Sequence, residues 1–98
     1  MPSRPIESAD WTFLTNHGHV LLALAEDPEV TVEAVARRVG ITERSARRII
    51  AELTGAGYVT KERVGRNNRY RLHPERPLRH PVEKQRPVSE LIALVRRR

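Results

Sequence analysis

The stretch Gly40-Ile41-Thr42-Glu43-Arg44-Ser45-Ala46-Arg47-Arg48-Ile49-Ile50 concentrates the side chains most capable of chemistry. Arg44, Arg47 and Arg48 stand three and four residues apart, so a helix carries their guanidinium groups on one side. Thr42 and Ser45 set two hydroxyls at the head of that helix, and Glu43 is the only acid before Glu52. A face that merely keeps a helix soluble usually mixes signs. Here the one early acid sits in the first turn, where the helix dipole favours it. The face is built for an anionic partner.

Charge along the rest of the chain points the same way. The 98 residues carry a net +6, but residues 1–36 hold a single arginine, Arg4, against six acids. Residues 37–71 hold ten basic groups against three acids, and residues 72–98 hold seven against three. Basic charge therefore begins abruptly at Arg37. Such a field attracts a polyanion by steering and by counterion release, and an arginine-rich composition alone would have reached the first third as well.

Other classes are disfavoured. There is no cysteine, which excludes disulfides and thiolate metal sites. The longest apolar run, Val20 to Ala25, is six residues, against the roughly 20 needed to span a bilayer. No basic segment followed by an apolar stretch opens the chain, so no signal peptide is expected and a cytoplasmic, nucleoid-associated protein is. No Ser/His/Asp order, glycine-rich phosphate loop or paired-carboxylate motif suggests an enzyme. With 39% hydrophobic and 4% aromatic residues, one small aliphatic core is expected. A core of that size is marginal alone, which favours dimerisation or a helix folding back as cover.

The elements that must position the arginines can be read from periodicity. Residues 1–10, with Pro2 and Pro5, read as a loose arm. Trp11, Phe13 and Leu14 are expected to tuck under the first helix rather than line a ligand pocket or a dimer seam. Thr15 can cap a helix running from about Asn16, which Pro28 forbids beyond Asp27. Thr31 can cap a second, with Val32, Val35, Ala36 and Val39 as its buried stripe and Gly40 as its stop. Thr42 caps a third, over 43–56, whose stripe is Ala46, Ile49, Ile50 and Leu53. Two helices joined by Gly40-Ile41-Thr42, each with one face to bury, describe a helix-turn-helix. The period then changes to two. Tyr58 to Arg63 and Arg69 to Leu72 read as a hairpin around Gly65-Arg66-Asn67-Asn68. Four prolines at 74, 77, 81 and 87 predict an extended segment over 74–87. Val88, Leu91, Ile92 and Val95 mark a short C-terminal helix over 88–98.

Helix, helix-turn-helix and basic hairpin, in that order, resemble a winged-helix DNA-binding domain, here spanning 11–73. The likeness is to bacterial MarR- and ArsR-type regulators, through LTNHGHVLLALAEDP, VEAVARRVGITERSARRIIAELTGAGYV and GRNNRY. More narrowly, the opening WTFLTNHGHVLLALAEDP and the phrase PLRHP resemble small stand-alone actinobacterial winged-helix regulators. The fold class expected is mainly α with a small β-hairpin (α+β): a three-helix core, a wing and a short C-terminal helix.

That resemblance assigns roles. It makes 43–56 the recognition helix, with Glu43, Arg44, Ser45, Arg47 and Arg48 facing bases in the major groove of double-stranded DNA. Thr42, Arg37 and Arg38 become phosphate contacts, beside the amides of the helix N-terminus. The wing, 58–72, would use Lys61, Arg63, Arg66, Asn67, Asn68 and Arg69 on the backbone, with Arg66 best placed for a minor groove. Glu43 could accept from cytosine N4, though its place in the first turn favours a capping role. Regulators of this class commonly dimerise, so Val88, Leu91, Ile92 and Val95 are a possible homodimer seam.

Because ArsR-type relatives often sense metals, the four histidines are the candidate ligands. His17 and His19 fall on different helix faces, and His73 and His80 flank prolines with no carboxylate at ligand spacing, so no metal or other cofactor is expected. Whether a small effector binds stays open. Two rivals remain: a protein-interaction winged helix docking an acidic partner, and a non-specific nucleoid-type DNA binder. The scarcity of aromatics argues against single strands.

Overall fold

The computed structural model describes residues 11–96; the arm expected over 1–10 lies outside them, as do Arg97 and Arg98. The elements are α1 (Asn16–Glu26), α2 (Val32–Val39), α3 (Glu43–Gly55), β1 (Val59–Val64), β2 (Asn67–Leu72), a 3-10 turn (Pro81–Glu83) and α4 (Ser89–Ile92). This is the expected winged helix, α+β, with three core helices, a wing and a short C-terminal helix.

Helix α1 is the centre of the core. Its apolar run buries Val20, Leu21, Ala23, Leu24 and Ala25, and α2, α3, α4 and β2 all pack against it. Thr15 holds the cap position in extended conformation, but its side chain caps no amide. Helix α2 begins as expected, with Thr31 Oγ1 accepting from the Ala34 amide at 3.1 Å, and its stripe Val35, Ala36 and Val39 is buried. Gly40 takes φ 88°, which lets the amides of Gly40 and Ile41 both close on the Ala36 carbonyl, at 2.8 and 3.0 Å. That turn aims α3. Thr42 Oγ1 then accepts from the Ser45 amide at 3.0 Å, and Ala46, Ile49, Ile50 and Leu53 are buried. Helix α3 stops at Gly55, one residue short of the expected 56.

The wing is a two-stranded antiparallel hairpin registered Val59↔Leu72 through Val64↔Asn67. Its loop is only Gly65-Arg66, so Asn67 and Asn68 stand in β2 and not in the turn expected from the sequence. The reason is local: Gly65 at φ 62°, in the first loop position, makes the type II′ geometry by itself. The base of the hairpin joins the core through Tyr58, Val59 and Tyr70, and the Tyr70 amide donates to the Pro28 carbonyl at 2.8 Å.

Three expectations need correction. Residues 74–87 do not run extended over the surface; they fold back on themselves. The Leu78 amide donates to the Arg86 carbonyl at 2.8 Å and the Val88 amide to the Arg76 carbonyl at 2.7 Å, framing an antiparallel bridge between Pro77 and Pro87. Both prolines occupy the non-hydrogen-bonded pair, where a missing N–H leaves no partner unsatisfied across the ladder. The excursion is pinned by Tyr58 Oη, which donates to the Pro77 carbonyl, and by the Arg76 guanidinium, which donates to the Ala56 carbonyl at 2.9 Å.

The C-terminal helix, expected over 88–98, is four residues long, and the chain leaves it at Ala93. Val88 and Ile92 are buried, but past Ile92 the chain turns by short-range bonds such as Leu94 N–H to the Leu91 carbonyl, 3.0 Å. Leu94 is left 67% exposed, so the packing that would hold a longer helix is missing. Finally, Trp11 and Phe13 are not tucked under α1. Leu14 occupies that seat, close enough that a Cβ on Gly18 would lie 3.1 Å from its own. The two aromatics stand 68% and 91% exposed, packed edge to face at 4.9 Å.

Candidate nucleic-acid interface

With its inward stripe buried, α3 presents Arg44 and Arg48, four residues apart, as the middle of its outward face. Arg44 forms no ion pair with any described residue. Arg47 lies to one side, toward the wing, near enough for its charge to act on the Tyr70 phenol. It also reaches back to Glu43, Nη2 to Oε1 3.4 Å. Arg48 reaches forward to Glu52 at 3.3 Å. Ser45 is half-buried, its amide spent on Thr42. The three arginines thus share a hemisphere, but two of them carry exposed partners of their own. At 3.4 and 3.3 Å these are loose contacts between neighbours four apart on one helix, and pairs of that kind contribute little and exchange readily for another anion.

Glu52 has a second partner. His17 Nε2, from the start of α1, lies 2.6 Å from Glu52 Oε1. That hydrogen bond, helped by Arg48 and opposed by partial burial, holds the Glu52 carboxyl below the ordinary carboxylate value. Tyr70 moves the other way: burial pushes its phenol up, partly offset by Asn68 and Arg47.

The hairpin register divides the wing into two unlike faces. Lys61, Arg63 and Asn68 lie on the face of Val59 and Tyr70, the one turned to the core and α3. Lys61 and Arg63 form no ion pair there with a described residue; Arg63 Nε donates to the Gly65 carbonyl at 3.3 Å. Arg66 occupies the exposed tip. On the opposite face, Arg69 is gripped by Glu29 from the α1–α2 loop, with Nε at 3.2 Å and Nη2 at 2.7 Å from the same oxygen. Arg71 pairs with Glu62 at 2.7 Å. The hydrogen bond and charge of Glu29 raise the Arg69 guanidinium further above its usual range. Of the six wing residues expected to touch a backbone, Arg69 is the one held in an ion pair among the described residues.

At the end of α2, Arg38 pairs with Glu26 of α1 and Arg37 lies 3.9 Å from Glu33. Arg38 therefore ties two helices together, and Arg37 keeps the looser partner. The histidines are dispersed: His19 approaches Asn16 Oδ1 at 3.4 Å, His73 bonds Thr60 Oγ1 at 2.6 Å, and His80 Nδ1 caps the 3-10 turn at Val82 N, 3.1 Å. Among the described residues no group of three or more His, Asp or Glu could hold a metal, and no helix is long and apolar enough to cross a membrane. An open groove of about 780 Å³ lies between the start of α1, the end of α3 and the proline excursion, bordered by Phe13, Leu14, Leu53, Leu78, Val88 and Leu91.

Against known proteins, residues 12–69 match the model of the MarR family. The chain belongs to the MarR family. Among solved structures it is similar to the PcaV transcriptional regulator of Streptomyces coelicolor, crystallised with its natural ligand, at 25% identity and a TM-score of 0.56. That alignment covers 84% of this chain and 57% of PcaV, so the chain spans little more than half the length of that regulator. The zinc-dependent MarR-family regulator AdcR aligns at 20% identity over 67% of this chain and 47% of its own, with a TM-score of 0.48. No curated protein matches.

Several residues around this candidate interface gave no signal in the sequence. Nothing local to Glu29 or Glu52 marks them, because their partners Arg69 and His17 lie 40 and 35 residues away. Tyr58 read as the first residue of a strand, yet its hydroxyl pins the proline excursion. The clustering of arginines after residue 36 was the legible signal, and it falls on α3 and the wing.

Proposed function

We propose that this chain is a sequence-specific double-stranded-DNA-binding transcriptional regulator that places α3 in the major groove and its wing on the adjoining backbone. What carries the reading is the outward face of α3. Arg44 and Arg48 stand on a helix whose opposite side is locked in the core, beside a wing face that adds Lys61 and Arg63. Arg44 and Arg48 read base edges, where a good bidentate contact to guanine gives roughly 1–3 kcal/mol of discrimination. Thr42 and the first amides of α3 meet phosphate, with Arg37 alongside. Arg66 enters the minor groove from the tip.

The chain acts as a homodimer, and its seam draws on Leu91 and Val95, which pack against the core but stay partly exposed, whereas Val88 and Ile92 are fully spent in it. Phe13, 91% exposed and bordering the same groove as Leu91, supports that placement. Two half-sites then lie about 10 bp apart.

One experiment tests these points together: selection of bound duplexes from a random pool at physiological salt, with the parent chain and with Arg44→Ala/Arg48→Ala. The parent is expected to enrich a two-fold-symmetric site, with log K falling against log[salt] at a slope near −5 for about six neutralised phosphates. The double variant should keep the fold and lose the enrichment. Equal retention of all duplexes by the parent would favour the nucleoid-type rival. Unchanged selectivity in the double variant would favour a protein-docking face.

A further inference from the structure

The two faces of the wing differ in one respect that the proposed function does not use. The face carrying Lys61, Arg63 and Asn68 holds no acid along its strands. The face carrying Arg69 and Arg71 is neutralised, guanidinium by guanidinium, by Glu29 and Glu62.

The neutralisation is constructed. Glu29 is fixed in place before it meets Arg69: its amide donates to Asp27 Oδ1 at 3.1 Å. The loop it belongs to is bonded to β2 through the Pro28 carbonyl and the Tyr70 amide, at 2.8 Å. The carboxylate thus arrives on a loop already joined to the strand, one residue from Arg69. Glu62, directly across the ladder from Arg69, takes Arg71 on the diagonal. Two arginines that composition would count toward DNA binding are held by acids anchored to the same strands.

Resting on the reading of the wing as a DNA contact, we propose that Glu29 and Glu62 set how the wing meets DNA. They withhold Arg69 and Arg71 from the phosphates and leave the Lys61/Arg63 face and the Arg66 tip as the contacting surface. Phosphate contacts carry no sequence information directly. Withholding two of them lowers affinity for every duplex alike, and so shortens residence on unselected DNA without costing the base contacts of α3.

The consequence is opposite to that of a simple clamp. Removing a carboxylate that only braces the wing would weaken binding, whereas removing one that withholds an arginine strengthens it. The test measures affinity for a selected and a random duplex across salt concentrations, for the parent, Glu29→Gln, Glu29→Gln/Glu62→Gln, Arg69→Gln, and Glu29→Gln/Arg69→Gln. Glu75→Gln, an exposed acid with no ion-pair partner among the described residues, reports the effect of the same charge change alone. Each released arginine neutralises one further phosphate, so log K should fall against log[salt] more steeply by about 0.9 in Glu29→Gln and about 1.8 in the double acid variant. The selected-to-random ratio should stay constant. Arg69→Gln should leave the parent's slope unchanged, and in the Glu29→Gln background it should restore it.

A shallower or unchanged slope in Glu29→Gln overturns the proposal. So does an equal steepening in Glu75→Gln, or a shallower slope in Arg69→Gln alone. If the parent retains no duplex, the DNA reading itself fails and this inference with it. If the parent selects its duplex normally while the slopes do not move, the inference fails by itself.

Discussion

The helix-turn-helix, 31–55, and the proline excursion with α4, 74–95, are of similar length and are held in place by different physics. The first is specified by repetition: two threonine caps, two i, i+3, i+4, i+7 stripes and a left-handed glycine between them. The second has one such stripe, Val88, Leu91, Ile92 and Val95, of which Val88 and Ile92 alone are buried, and its proline stretch has no period and is held by single contacts, namely the Tyr58 hydroxyl on Pro77 and Arg76 on the Ala56 carbonyl. A repeated pattern spreads its stability over many side chains. A pinned segment stands or falls with a few. The difference predicts that the arginine face of α3 is robustly held and that the C-terminal segment can loosen without disturbing it.

The severest challenge to that contrast is Ile49→Ala. Ile49 is 2% exposed, and such a truncation costs roughly 2–5 kcal/mol. Because the stripe joins α3 to everything else, thermal unfolding should move to lower temperature in one cooperative step; a selective loss of α3 alone would contradict it. A smaller effect comes from Tyr58→Phe, which strips the donor from the Pro77 carbonyl at about 1 kcal/mol. Hydrogen exchange should quicken at the Leu78 and Val88 amides while those of α2 and α3 keep their protection. Uniform quickening would mean that the two regions are one unit.

The smallest effect is a dependence on pH. The folded-state pKa of Glu52 is lowered from 4.5. Its contribution is therefore present above that value and is lost as pH falls through the depressed one. Glu52→Gln should flatten the low-pH limb of a stability curve measured between pH 5 and 2 (roughly the range where a paired carboxylate titrates), being slightly less stable than the parent at neutral pH and converging with it in acid. An unaltered limb would show that the His17–Glu52–Arg48 contacts do not survive in solution.

Legibility followed the same division. The caps at Thr31 and Thr42, the stop at Gly40 and both buried stripes could be read in the sequence, because each depends on residues within seven positions. The basic wing was legible too, though its turn was read two residues too long: glycine, arginine and two asparagines all fit a loop, and the strand pairing that claims Asn67 and Asn68 is not local. The sequence pattern left open which arginines are free. Arg69 looks the same as Arg66 until Glu29 is brought to it from 40 residues away. The outward fate of Trp11 and Phe13 was hidden for a like reason: Leu14 competes for the same seat over Gly18, and composition does not say which of three apolar neighbours wins.

The opposed prolines of the excursion have a further effect. In an antiparallel pair the non-hydrogen-bonded residues direct their own N–H and C=O groups outward, away from each other. With Pro77 and Pro87 in those positions, neither outer edge of the short ladder offers a donor there, and the outward carbonyl of Pro77 is already taken by Tyr58. A strand from another molecule therefore finds no template to extend. The least regular part of the chain is guarded against edge-to-edge aggregation by the same residues that keep it irregular.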